Sequence, residues 1–328
     1  MSIALKAARI RPLPLAGLWP LAGAVLIVVL TLTLPPFRSY QLATVGAYLC
    51  VTAGLTVLTG LNGQLSLGHG ALMATGAYTL ALCCNAGWPL PLALPAAIAV
   101  TTAVGAVVGL AAARLRGPYL AGLTLAVAVV VPAVTSTFDG TFNSDQGLPV
   151  ALEPPPATVT VEQWQAWLSW GGALVTLVVL GFVVRGRFGR EMRAVRDDET
   201  AARLAGVSVA RTQVLAFVIS AACAGLGGAL FAVLSQSVSP GAFPLSLSLF
   251  LVMAIVIGGL GSLAGAVWGA VLLVALPALA HSVTDGIDVQ RLEGNLPLAL
   301  FGTALIVVML AAPGGIAALR FPRRRRKA

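Results

Sequence analysis

Four uncharged polar side chains, Asn62, Gln64, Ser66 and His69, stand close together in an otherwise apolar chain. They fall within GLNGQLSLGHGALMATGAY, from Gly60 to Tyr78. Ser66 and His69 are spaced i, i+3 with no orienting acid, which makes a poor nucleophilic triad. A single His with no Cys, Asp or Glu ligand beside it does not make a metal site, so no metal is expected. What the four can do is exchange hydrogen bonds without carrying charge, since a neutral imidazole donates at one nitrogen and accepts at the other. Two readings follow. They either bond to neighbouring helices, with Ser66 as an N-cap, or they edge the path or inner gate of a polar solute. Gln236 heads a second such stretch, QSVSPGAF, which ends at Phe243.

The charged residues gather elsewhere. RGRFGREMRAVRDDETAARLAGVSVART, from Arg185 to Thr212, has an apolar stripe of Met192, Val195, Ala202 and Leu204–Ala205 among charges. That pattern predicts one amphipathic helix from Arg190 that Gly206 ends. Within it Glu199, Ala201, Ala202 and Gly206 spell E-x-A-A-x-x-x-G. The segment either serves only to fix topology or docks a partner. In the docking reading the small residues let a partner groove approach closely. Arg190, Arg193, Arg196, Asp197 and Asp198 then fix its register by charge.

The elements that must hold these residues are membrane helices. Of 328 residues, 58% are hydrophobic and 9% charged, whereas a soluble domain carries charge at about 25% of positions. Apolar runs long enough to cross a bilayer recur along the chain, and short alternating strands of a β-barrel are absent from the pattern. Ten spans are expected, at 15–34, 40–59, 66–84, 89–113, 119–136, 166–184, 211–234, 246–260, 263–281 and 296–312. The first is too long for a signal-peptide core and no small-x-small site follows it, so an uncleaved helix is expected. Cys50, Cys83, Cys84 and Cys223 all lie in apolar runs and read as small buried hydrophobes.

Charge orients this array. Threaded alternately with both termini inside, the inner side collects Lys6, Arg9, Arg11, Arg114, Arg116, the arginines from Arg185 to Arg211, and the tail from Arg320 to Lys327. The outer side holds Arg38 and Arg291 against Asp139, Asp145, Glu153, Glu162, Asp285, Asp288 and Glu293. The positive-inside rule asks for this asymmetry. The layout is then a cytoplasmic tail at 1–14 and one transmembrane domain at 15–318. An outer loop lies at 137–165, a cytoplasmic loop at 185–211, and a basic tail at 319–328. RFPRRRRKA reads as an anchor to anionic lipid rather than a nucleic-acid site. With ten spans, a 5+5 division gives an inverted repeat, in which QLSLGHGAL and QSVSPGAF follow corresponding helices.

Composition also excludes functions. The chain's lysines are Lys6 and Lys327, so no phosphate-binding G-x-x-x-x-G-K-[ST] loop exists. No Asp, Glu, Lys or Arg lies within the interior of any expected span. Ion-coupled carriers and voltage sensors keep such groups in the membrane. A transport protein without an engine of its own is expected, not an enzyme. Passive channels and carriers whose ion site is built from carbonyls stay open as alternatives.

The loop resembles the coupling segment of ABC importer permeases. More narrowly, FGREMRAVRDDETAARLAGVSVARTQVLAFVISAACAGLGGALFA is similar to the branched-chain amino-acid ABC permease family, M-type subunits above all. So are GLNGQLSLGHGALMATGAY, LRGPYLAGLTLAVA, SDQGLPV and VIGGLGSLAGAVWGA, in order over roughly residues 45–275. Gly70 stands where that family more often has Ala, and TFNSDQG departs from its usual double glycine. The resemblance implies an all-helical permease of a bacterial inner membrane that forms half of a translocation path. It implies two cytoplasmic ATPases that use ATP and magnesium, a second related permease and a periplasmic binding protein. The implied solutes are branched-chain amino acids, urea or short amides. A related sugar importer is the near alternative. No cofactor is implied for this chain itself, and no nucleic acid.

Overall fold

The structure, a computed structural model, describes residues 19–115, 118–143, 146–152, 154–155, 159–284, 302–303, 306–307, 310 and 314–319. Most of the expected tenth span, the N-terminal tail at 1–14, Arg320 to Lys327, and Arg116, Asp145, Glu153, Asp285, Asp288, Arg291 and Glu293 lie outside these residues.

Proline starts several of the helices. Its ring presets φ, and its missing N–H costs nothing in a first turn. Pro36 and Pro118 begin α2 (Pro36–Leu55) and α5 (Pro118–Thr137), and Pro89 immediately precedes α4 (Leu90–Ala112). The order around them is α1 (Trp19–Thr33), then α2 with a π-helical turn (Thr56–Leu61), then α3 (His69–Asn85) before α4. A short α6 (Asp139–Phe142) follows α5, and α7 (Val161–Arg185) opens with a capping box between Thr160 and Gln163. Next come α8 (Arg187–Asp197), α9 (Glu199–Leu204), α10 (Val209–Ser235), α11 (Leu245–Gly258) and α12 (Leu263–Thr284).

Six helices among the described residues are long and apolar enough to cross a membrane: Pro36–Leu61, Leu90–Ala112, Tyr119–Thr137, Val161–Arg185, Val209–Ser235 and Pro240–Gly258. The chain is thus an all-helical, multi-pass membrane protein. Shorter apolar helices, Gly23–Thr33 and Leu263–Leu279, occupy the expected first and ninth spans. The expected third span is cut to the 17 residues of α3, because the chain stays irregular up to Gly68.

Burial separates centre from rim. The most apolar part of α2 is 78% buried and that of α10 is 61%, against 22% for α5 and 28% for α7. α10 packs on α2, α3 and α4, while α2 also packs on α7 and α12. Glycine permits the tightest of these contacts: a Cβ on Gly228 of α10 would overlap the Met73 carbonyl of α3.

The connections sort the helix ends into two groups. α7 delivers the chain to α8 and α9, which meet the start of α10 and the end of α2. Beyond the opposite end of α10, Leu148–Pro149 pairs antiparallel with Ser237–Val238, and Asn85 at the end of α3 bonds to Pro149 and Ala151. Following the helices, Arg114 and the arginines from Arg185 to Arg211 reach the first end, and Arg38, Asp139 and Glu162 the second. The basic residues thus gather at the first end, the asymmetry that the positive-inside rule associates with a cytoplasmic face.

Candidate functional site

α2 comes apart in stages. Its last turn widens to a π-helix, a form that often marks functional sites. Gly63 then turns the chain with φ 78°, a conformation open to glycine at no steric cost. Gln64 folds back, its N–H donating to the Leu58 carbonyl at 3.3 Å while its own carbonyl accepts from Thr59 Oγ1 at 3.0 Å. Residues 64–68 run irregularly to the first residue of α3, His69. Most of the break is buried, Gly63 and Leu65 excepted, and irregular backbone in a membrane protein needs such cover because lipid offers no hydrogen bonds.

Side chains from several helices supply those bonds. His69 is fully buried, its Nδ1 3.0 Å from Ser66 Oγ and its Nε2 2.7 Å from Ser220 Oγ of α10. Hydroxyls serve as either donor or acceptor, so a neutral ring is satisfied at both nitrogens. The Leu67 N–H donates to Thr124 Oγ1 of α5 and the Gly70 N–H to Ser248 Oγ of α11, both at 3.0 Å. Asn62 Nδ2 donates to Gln64 Oε1 at 3.0 Å. Among the described residues Asn62 Oδ1 and Thr56 Oγ1, both buried, have no hydrogen-bond partner.

Asn62 and Gln64 thus form one buried bonded pair, and Ser66 and His69 a second that extends to Ser220, at the end of α2 that Arg196 contacts. Gln236 does not join them. It is exposed, caps the far end of α10 in a left-handed conformation with φ 55°, and lies at the opposite end. The expected N-cap role of Ser66 is also corrected. Gly68 occupies the cap position of α3 with no side-chain cap, because the Ser66 hydroxyl is turned to His69. Sequence reading missed Thr124, Ser220 and Ser248. Their signal was slight: single hydroxyls in apolar spans, which must find partners in a membrane.

The loop also differs from expectation. Instead of one helix from Arg190 to Gly206, α8 ends at Asp197 and α9 starts at Glu199. Asp198 causes the break. Extended at φ −159°, its carboxylate accepts from the N–H groups of Thr200 at 2.7 Å and Ala201 at 3.1 Å, an N-cap for α9. Met192, Val195 and Ala202 are buried, while Leu204 is 87% exposed just before Gly206 turns the chain at φ 83°. Glu199 accepts from Gln213 of α10 at 3.0 Å, tying α9 to a membrane helix. Arg193 donates to the Val184 carbonyl at 2.8 Å, and Arg196 donates to the Gly60 carbonyl at 2.7 Å. Arg190 and Ala201 lie on α8 and α9 respectively, within the same module.

Residues 38–313, and with them both the break and the loop, match the model of the branched-chain amino acid transport system permease component family. The chain belongs to that family. Its members are transport subunits. The chain is 30% identical to the high-affinity branched-chain amino acid transport system permease protein LivM of Salmonella typhimurium (strain LT2), over 85% of this chain and 70% of that one. LivM of Escherichia coli K12 is 29% identical over the same shares. LivH, a permease protein of a like-named system in E. coli K12, is 28% identical over 82% of this chain and 90% of its own length. No solved structure matches the chain.

Proposed function

We propose that this family member is the transmembrane subunit of an ATP-driven importer in a bacterial inner membrane, carrying branched-chain amino acids or a similar small polar solute. It forms half of the path with a second, related permease, and receives solute from a periplasmic binding protein. Two cytoplasmic ATPases bind ATP and magnesium, and this chain binds no cofactor. The observation that carries the reading is the α8–α9 module in a chain of this family. It is a pair of short helices, α9 capped by Asp198, bonded to α2, α7 and α10, and it presents an almost bare Leu204. A helix that lays an apolar anchor into a partner's groove is a recurring mode of recognition. In the break that Arg196 contacts, Asn62 Oδ1 is buried and has no hydrogen-bond partner among the described residues.

Ten spans in a 5+5 inverted repeat remain the favoured arrangement, and the packing supports it. Exchanging each helix for its counterpart five spans on maps the α10–α4, α10–α3 and α3–α4 contacts onto α2–α12, α2–α11 and α11–α12, all of which occur. The α2–α7, α10–α7 and α2–α3 contacts are exceptions, since α10–α1, α2–α1 and α10–α11 touch little among the described residues.

The experiment is reconstitution of the whole transporter in vesicles, with Glu199→Arg or Gly206→Arg in this chain. Uptake-linked ATP hydrolysis is expected to fall by about a hundredfold, at the upper end of coupling energies, with the variant still in the membrane. Unchanged coupled hydrolysis overturns the docking role, and uptake indifferent to ATP favours a passive channel.

A further inference from the structure

We propose that Arg196 is the positioning residue that carries movement of α8 into the break of α2, so that ATPase closure and the inner end of the solute path move together. The inference rests on the coupling role proposed above and adds the link that role requires.

α8 is anchored to the body by Met192 and Val195, 0% and 3% exposed. The next residue, Arg196, reaches away from α8 to α2, where its Nη1 donates to the Gly60 carbonyl at 2.7 Å. That carbonyl belongs to the last turn of its helix, whose carbonyls have no donor further along the helix itself. The guanidinium supplies what the break removed, as a charge-assisted bond. The side chain is 43% exposed overall, but its bond to Gly60 is in partly buried ground, where screening is weaker.

The fork is fixed from both sides. Nε and Nη2 donate to Asp197 Oδ1 at 3.3 and 3.1 Å, leaving Nη1 for Gly60. Gly63 lies under the Arg stem, where a Cβ would stand 2.8 Å from Arg196 Cγ. On its other side Gly60 has no room to give. A Cβ there would overlap the backbone of Gly261, in the turn between α11 and α12. One peptide is thus held between the cytoplasmic helix and a turn joining two membrane helices. Shifting α8 must break the bond to Gly60 or carry the break along. The residues that follow, 62–70, are the ones bonded to Thr124, Ser220 and Ser248. A lysine offers a point charge without the fork that serves Asp197 and Gly60 together.

The test uses the complete transporter in vesicles, with radiolabelled leucine as the probe and solute moved per ATP hydrolysed as the readout. Arg196→Gln is expected to lower that ratio about tenfold, the usual size of an energetic coupling between sites, and Arg196→Lys to restore part of it. A purely structural or docking defect lowers uptake and hydrolysis together and leaves the ratio unchanged, which overturns the proposal. Should Arg196→Gln fail to assemble, Asp197→Asn tests the same link from a side chain that is 68% exposed. There the ratio is expected to fall about threefold, and an unchanged ratio again overturns the link. Wild-type leucine uptake that proceeds without ATP sinks the importer reading itself, whereas coupled wild-type uptake with unaltered ratios in the variants sinks this inference alone.

Discussion

Two segments interrupt the helical array, and they solve the same problem in opposite ways. Between α2 and α3, residues 56–68 stay largely buried and take hydrogen bonds from α5 and α8, while α10 and α11 hold the first turn of α3. Between α10 and α11, residues 236–244 lie toward the outer end. There Ser237–Val238 pairs with Leu148–Pro149, and Gln236 meets solvent. The first segment is a hub where several helices meet, and the second is a connection. Their sequences share Gln, Ser and Gly-Ala, yet that likeness records a place in the chain order and not a shared environment. Most polar groups at the hub are committed to named partners, Asn62 Oδ1 and Thr56 Oγ1 excepted, whereas Gln236 on the connection can turn to water.

Substitutions that ask how much each segment depends on its surroundings can break or sharpen this contrast. The largest effect is expected from Gly60→Ala, since the added methyl overlaps the Gly261 backbone. Overpacking of that kind costs about 3 kcal/mol, read as a lowered melting temperature of the detergent-solubilised protein. His69→Ala comes next. It strands the buried hydroxyls of Ser66 and Ser220, a penalty of about 2 kcal/mol, and leucine uptake should fall with it. The smallest change, and the one of opposite sign, belongs to Gln236→Gly. Relief of a left-handed backbone at φ 55° should raise stability by about 1 kcal/mol. Melting temperatures that rank the three otherwise, above all a costly Gln236→Gly, would show that the outer segment is a hub as well.

Much of the cytoplasmic face was legible in the sequence, though not its joints. Of the apolar stripe Met192, Val195, Ala202 and Leu204–Ala205, the first three are buried as expected, whereas Leu204 and Ala205 are exposed. The stripe could not show that Asp198 splits the helix, because an Asp inside a helical pattern and an Asp capping a new helix share that pattern until the backbone is seen. The hub was half legible. Asn62, Gln64, Ser66 and His69 announce a buried polar cluster by standing where lipid would otherwise lie. Gln236 looked equivalent because the two stretches match in sequence, but the match carries no burial.

The sequence by itself determined that this chain lives in a membrane, that its basic residues gather toward one end of the helices, and that something near residue 64 leaves the helical ladder. Those conclusions rest on hydropathy and charge, which sum along the chain without reference to its neighbours. Tertiary structure alone decided who answers the polar groups. His69 bonds to Ser220, 151 positions away, and Gly60 to Arg196, 136 away. A bilayer requires that every freed donor and acceptor be met, so the sequence states the demand. Which side chain meets it depends on how α2, α8 and α10 pack, and that is fixed only when glycines such as Gly60 and Gly228 let the backbones close.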